Sequence, residues 1–212
     1  YDARVIYTAA PNELDLIALR NDKHWSKNVS IPGRKLRVLI CSHVLPFKNV
    51  DKALEALASI KLPYEADVIG SCDTEYGVSV KNRLESANVR FHGALFGKKK
   101  LQLIGRADLL LHFSENEELP LIQLECMAMG LPFLSFSGVG GLASTLPENL
   151  RGFYFHSPED LCSPALEMLL QRVLNNRELS TRATDYYNDT YSGDRMRIQF
   201  SEVIKELDFE CS

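Results

Sequence analysis

The sequence predicts an α/β domain: a Rossmann-like, doubly wound parallel sheet with further helices at its C-terminal end. Three observations predict it. Short β-prone runs that are apolar throughout, such as LRVLICS and DLLLHFS, alternate with stretches of helical periodicity. Strands apolar on both faces belong to a sheet covered by helices on both sides. The alternation is regular from Lys35 onward, and right-handed crossovers then make successive strands parallel.

Strands are expected at 36–42, 65–71, 89–95, 108–114 and 132–137, with a weak sixth at 152–156. After the first strand, NVDKALEALASI places Val50, Leu54, Leu57 and Ile60 at helical spacing. TEYGVSVKNRLESAN and KKLQLIGRA supply the second and third helices, and a fourth runs roughly from 119 to 129, stopped by Gly130. GLASTLP makes a short helix after the fifth strand, and helical stretches at 158–175, 176–191 and 194–207 close the chain. At the other end, ARVIYTAAPNELDL reads as a strand leaving another unit. Pro32 and Gly33 make 21–35 an exposed linker.

Composition narrows the function classes. The chain has 212 residues, 45% hydrophobic and 25% charged, as expected of one large globular domain. A net charge of −4 provides no field for holding nucleic acid. The apolar runs are too short to span a bilayer, and the first thirty residues lack the basic start and apolar core of a signal peptide. The five cysteines are scattered without metal-ligand spacing, and four of them lie in or beside hydrophobic segments, so they read as packed, reduced thiols of a cytosolic protein. A start at Tyr1 rather than methionine reads as a piece of a longer enzyme.

In sheets of this kind ligands bind at the carboxyl ends of the strands, against helix N-termini. The loops after Ser42, Gly70, Gly93, Ser114 and Ser137 all fall on that edge. None carries GxGxxG or GxxxxGK[ST], which argues against a nicotinamide enzyme and a P-loop. Three loops hold candidates. SHVLPFKNVD contains His43 and Lys48, the lysine either a solvated residue at a helix start or a point charge that meets a phosphate. ENEELPLIQLE places Glu117 and Glu118 ahead of an apolar helix that contains Glu125. Glu125 lies among Leu121, Ile122, Leu124, Cys126 and Met127, where an unpartnered carboxylate is costly. A helical rise of ~1.5 Å per residue puts Glu125 roughly 10 Å from Glu117, about the span of an extended nucleoside diphosphate sugar. A carboxylate accepts hydroxyl pairs side by side, so one glutamate suits a ribose diol and the other suits sugar hydroxyls. The third loop, SGVGG at 137–141, has glycines that allow close backbone approach to an anion.

GRADLLLHFSENEELPLIQLECMAMGLPFLSFSGVGG and SHVLPFKNVDKALEAL, in this order, resemble the C-terminal nucleotide-sugar-binding domain of retaining GT-B glycosyltransferases. The chain is similar to the large family that holds sucrose synthases and bacterial mannosyl- and glucosyltransferases, over roughly residues 36 to 205. The matching elements are an Ala-Asp strand, a Glu-x7-Glu element, an EAMA-G-P segment and a Gly-Gly turn. The resemblance implies the C-terminal half of a GT-B fold. It gives Glu125 the ribose hydroxyls, Glu117 the donor sugar and Lys48 the diphosphate. It lays the backbone of Glu118 and Leu119 against sugar or phosphate, and makes Gly140 and Gly141 the floor of the site. It divides the chain into a linker and remnant of an N-terminal acceptor domain (1–35), the donor-binding domain (36–193) and a helix crossing back to the missing domain (194–212).

The sequence also departs from the family. His43 stands for an arginine, Asn49 for a glycine, and Glu118-Leu119-Pro120 for Gly-Phe-Gly. The expected function is transfer of a hexosyl unit from a nucleoside diphosphate sugar to a glycan, lipid or protein acceptor with retained configuration. No metal or other cofactor is implied, because lysine and helix N-termini can hold the diphosphate. The expected setting is the cytoplasm or the inner face of the membrane, with weak hints of membrane contact such as GKKK at 97–100. Two rivals remain: a non-catalytic interaction subunit that keeps the fold, and a nucleotide-sugar epimerase of related architecture.

Overall fold

Six of the apolar runs pair into one sheet in the computed structural model, which describes residues 7–22, 34–137 and 140–210. The strands are β1 (Leu36–Cys41), β2 (Tyr64–Ile69), β3 (Val89–Phe91), β4 (Leu109–His112), β5 (Phe133–Phe136) and β6 (Phe155–His156). Their order is β3-β2-β1-β4-β5-β6, and each neighbouring pair is parallel. Val38 of β1 aligns with Ala66 on one side and Leu109 on the other. Every residue of β4 and β5 is buried, as an unbroken apolar run requires when helices cover both faces. The direction of strand succession reverses between β1 and β4. That reversal opens a crevice at their carboxyl ends.

The connecting helices are α2 (Val50–Ser59), α3 (Glu75–Leu84), α4 (Gly97–Arg106), α5 (Leu121–Met129), α6 (Gly141–Thr145) and α7 (Glu148–Tyr154). In α2 the buried face is Val50, Ala53, Leu54, Ala56 and Leu57, a stripe one turn apart. The Thr74 side chain caps α3 by accepting from the Gly77 N–H at 3.0 Å. The expected Rossmann-like sheet is thus present, with differences at its edges. Strand β3 ends at Phe91, and Gly93 turns the chain with φ +69°. The sixth strand is only two residues long, because Pro147 and Glu148 start a helix that runs to Tyr154. The helix expected at 119–129 begins at Leu121, with Pro120 as its extended cap.

Four helices close the chain: α8 (Pro158–Leu161), α9 (Ala165–Leu174), α10 (Arg177–Thr190) and α11 (Gly193–Glu210). The expected continuous stretch at 158–175 is broken between α8 and α9. Pro164 has no N–H to continue the ladder and pushes its predecessor out of helical conformation.

The N-terminal segment is described in part. Residues 1–6 and the linker core 23–33 lie outside the described residues. Helix α1 (Glu13–Asp22) packs on α4 and α5, and the strand expected near the start of the sequence falls largely on residues outside those described. Leu16 is fully buried, and Arg20 donates to the Ala128 carbonyl at 3.0 Å. Glu13 accepts from the Tyr187 hydroxyl at 2.8 Å and from the Gly193 N–H at 3.0 Å. The Ala10 N–H in turn donates to Tyr187 Oη at 2.9 Å. Residues 7–22 are thereby tied to the α10–α11 junction.

Candidate functional site

The loops after β1 and β4 meet across the crevice. The Glu115 N–H donates to the Phe47 carbonyl at 2.9 Å, stitching one loop to the other. Lys48 ends a 3-10 turn (Pro46–Lys48), and its ammonium lies 2.6 Å from Glu117 Oε1 and 3.4 Å from the Asn116 carbonyl. His112, the last residue of β4 and buried, places Nε2 3.1 Å from the same Glu117 oxygen. Burial by itself would raise the Glu117 carboxyl. The hydrogen bonds and charge of His112 and Lys48 overcome it and bring the carboxyl down from 4.5 to about 2. Both donors use Oε1, so Oε2 is the oxygen of Glu117 with no hydrogen bond among the described residues.

Asn49, buried between these loops, explains one departure from the family pattern. Its backbone is left-handed, with φ +49° and ψ +37°, a region that glycine enters freely and asparagine tolerates best among other residues. Its side chain then makes use of the position. Nδ2 donates to the Phe113 carbonyl at 3.0 Å and to Glu115 Oε1 at 2.8 Å. The backbone requirement is met without glycine, and the loop gains a tie to the end of β4.

The Gly-Gly turn closes over the acidic loop. A Cβ on Gly140, where φ is +81°, would lie 3.3 Å from Pro120 Cδ and 3.4 Å from Glu117 Cβ. One on Gly141 would lie 2.9 Å from the Glu118 carbonyl oxygen, which already accepts the Gly141 N–H. Glu117, Glu118, Leu119, Gly140 and Gly141 thus lie together. The preceding Gly138 and Val139 lie outside the described residues.

Glu125 lies in the second turn of α5 and is fully buried. The partner its burial demands is Lys100 of α4, whose Nζ sits 2.6 Å from Oε2. Oε1 is buried with no hydrogen-bond partner among the described residues. Burial raises the carboxyl, and the Lys100 charge and hydrogen bond oppose that rise. A spacing of roughly 10 Å between Glu117 and Glu125 requires helix throughout, and residues 117–120 are not helical, so that spacing does not carry over. Each glutamate is instead located by its own lysine.

His43 is exposed on the same edge, and no hydrogen bond joins its side chain to the Lys48–Glu117 pair among the described residues. Cys126 is buried, Cys41 and Cys72 are partly buried and Cys162 is exposed, while Cys211 lies outside the described residues. Burial pushes all four thiols up, Cys41 to about 11, leaving none activated as a nucleophile. No group of three or more His, Cys, Asp or Glu among the described residues could hold a metal ion. Nor is any helix among them long and apolar enough to cross a membrane.

Two site residues escape a linear reading. His112 looks like one more member of a buried strand, and only strand pairing shows that it ends at the crevice. Lys100 belongs to the GKKK run read as a membrane hint. Lys98 and Lys99 are exposed, whereas Lys100 turns inward to Glu125. Its signal was an unpaired buried acid and a lysine one helical turn into a segment that starts at the same sheet edge.

Comparison with known proteins agrees with this architecture. A glycosyltransferase from Rickettsia africae ESF-5 superposes with a TM-score of 0.75 at 18% identity, over 96% of this chain and 56% of that one. Sucrose-phosphate synthase from Thermosynechococcus elongatus does so with 0.71 at 21% identity, over 99% and 53%. HepE from Anabaena, in complex with UDP-glucose, gives 0.68 at 18% identity, over 95% and 54%. The chain thus spans about half the length of these proteins, and at such identities the likeness establishes the fold. No curated protein matches by sequence. Residues 21–189 match the family described as Glycosyl transferases group 1. That match takes in both crevice loops, both carboxylates and the Gly-Gly turn, and the chain belongs to the group 1 glycosyl transferases.

Proposed function

We propose that this chain is the donor-binding half of a retaining hexosyltransferase that uses a nucleoside diphosphate sugar. The observation that carries the reading is the placement of two lysine-paired carboxylates, Glu117 and Glu125, in and beside the crevice where the strand order reverses. HepE, whose structure holds UDP-glucose, shares the fold and supports a UDP-sugar as donor.

In this reading Glu125 takes the ribose hydroxyls and Glu117 the hydroxyls of the transferred sugar, through Oε2. Lys48 meets the diphosphate. Its ammonium has three hydrogens, and with bonds to Glu117 and the Asn116 carbonyl one remains for a phosphate oxygen. As the sugar–phosphate bond breaks, negative charge grows on the leaving diphosphate, and a fixed ammonium there lowers the barrier. His43 adds a weaker donor where the family carries arginine. The backbone of Glu118 and Leu119 lies along the sugar, with Gly140 and Gly141 as floor. The diphosphate needs no metal in this scheme. The acceptor, a glycan, protein or membrane lipid, binds a separate N-terminal domain in the cytoplasm or at the inner membrane face.

Calorimetric titration with UDP, GDP, ADP and their sugars tests the proposal. At least one should bind. Glu125→Ala should weaken both nucleotide and sugar nucleotide, and Glu117→Ala the sugar nucleotide more than the bare diphosphate. A folded chain that binds none of them refutes the reading.

One observation favours a second reading, a non-catalytic subunit that keeps the fold. Both lysines already hold internal carboxylates, and the Gly141 N–H already serves the Glu118 carbonyl. Donor binding without donor-dependent transfer by the longer parent protein would decide for it.

A further inference from the structure

We infer that Lys100 is the positioning residue of the ribose end of this site. It holds Glu125 ionised, with Oε1 left for hydroxyls of the ligand, and so sets a preference for ribonucleotides over 2′-deoxyribonucleotides. The inference rests on the donor-binding reading above and goes beyond it, since it concerns how the carboxylate is made competent.

The geometry carries it. Glu125 is fully exposed to neither water nor backbone donors, being 0% accessible on a helix whose neighbours are Leu124 and Cys126. An ionised carboxylate in that setting requires a counter-charge. Lys100 supplies one at 2.6 Å, from a different helix, and contacts one oxygen only. The other oxygen has no partner among the described residues. A buried acceptor without a donor is a costly feature that a bound hydroxyl would relieve. The Lys100 side chain keeps 18% of its surface exposed, whereas that of Glu125 keeps none. Its flexible stem allows the ammonium to retain Oε2 while the ligand reaches Oε1.

The groups around Glu125 leave Lys100 without a substitute. From β1 comes the Cys41 thiol, from α5 Cys126 and from α10 the Tyr187 hydroxyl, all held protonated by burial. Arg20 of α1, the helix packed on α5, donates to the Ala128 carbonyl. Without Lys100, burial favours the protonated acid, which carries no charge to strengthen a hydroxyl hydrogen bond and presents an O–H donor on one oxygen.

The test uses whichever of UDP and GDP the wild-type chain binds, against its 2′-deoxy analogue, by calorimetry from pH 6 to pH 9. Wild type should prefer the ribonucleotide by about tenfold or more at every pH, the worth of one charge-assisted hydrogen bond. Lys100→Met should lose most of that preference at pH 6 and recover it as pH rises and Glu125 ionises. Lys100→Arg should keep it. A merely structural lysine would change both affinities alike, without pH dependence in their ratio. Should Lys100→Met fail to fold, Lys100→Gln, which keeps a donor for Oε2 without the charge, should show the same loss of preference at pH 6 and the same recovery as pH rises. An unchanged ratio in either variant overturns the inference, as does tighter ribonucleotide binding by Lys100→Met, which would make the lysine a cover. A wild-type chain that binds no ribonucleotide sinks the donor-binding reading itself and this inference with it.

Discussion

Replacing Glu117 by glutamine should destabilise the folded chain by about 2 kcal/mol at pH 7 and by almost nothing near pH 2. The magnitude follows from the carboxyl's surroundings. Burial alone would raise it, yet His112 and Lys48 bring it from 4.5 down to about 2. At ~1.4 kcal/mol per pH unit this drop is worth about 3 kcal/mol. Solvent at the loop screens part of it, leaving about 2. The sign follows from linkage. The folded pKa lies below the unfolded one, so the stabilisation is complete above about pH 5 and disappears as pH falls through 2. Urea unfolding of wild type and Glu117→Gln at intervals from pH 7 to pH 2 reads the difference directly, because every other titrating group is common to both. Adding Lys48→Met and the double variant isolates the pair, whose coupling should exceed ~0.5 kcal/mol at pH 7. A gap between wild type and Glu117→Gln that stays constant down to pH 2 would falsify the account.

Three further substitutions probe how the site is held. Asn49→Ala should cost about 2–3 kcal/mol, from the lost bond to the buried Phe113 carbonyl and from a left-handed backbone, whereas Asn49→Gly should cost only about 1, as read by urea midpoints. Equal losses in the two variants would show that the backbone conformation is not at issue. Gly70→Ala should be more damaging still, above about 3 kcal/mol, because its Cβ would fall 1.9 Å from the Ser42 carbonyl oxygen at the mouth of the crevice. Its melting temperature checks this, and a change under two degrees would contradict the close approach. Tyr187→Phe removes the hydroxyl that joins Ala10 to Glu13, and should cost about 1–2 kcal/mol while speeding proteolysis near the N-terminal segment. Unchanged proteolysis would mean that residues 7–22 are anchored by apolar packing alone.

The order of elements was legible because each strand is a local event. LRVLIC and LLLH are apolar at every position, and a run that buries both faces has few destinations other than a covered parallel sheet. Helix α2 was equally plain from its one-turn stripe. The candidate residues Lys48, Glu117, Glu118, Leu119, Gly140 and Gly141 were legible for a related reason. In a parallel sheet all loops that follow strands share one edge, so alternation alone predicts that they assemble there. Element ends were harder. The start of α5 at Leu121 and the helix that takes Gly152 to Tyr154 from the sixth strand depend on Pro120 and Pro147, each of which serves equally as a cap or a first helical residue.

By itself, then, the sequence determined the α/β architecture, the sheet edge that bears the site and the carboxylates placed on it, because these follow from patterns within a few residues of one another. Tertiary structure decided which charges meet. Lys48 and Glu117 are 69 residues apart, and Lys100 and Glu125 are 25 apart on different helices. Ion pairs of that kind leave no periodic trace, since any exposed lysine at the same spacing from the same edge would read alike. Packing also decided that His112 faces Glu117 and that residues 7–22 join the core, because strand termination and helix docking depend on contacts from parts of the chain remote in sequence.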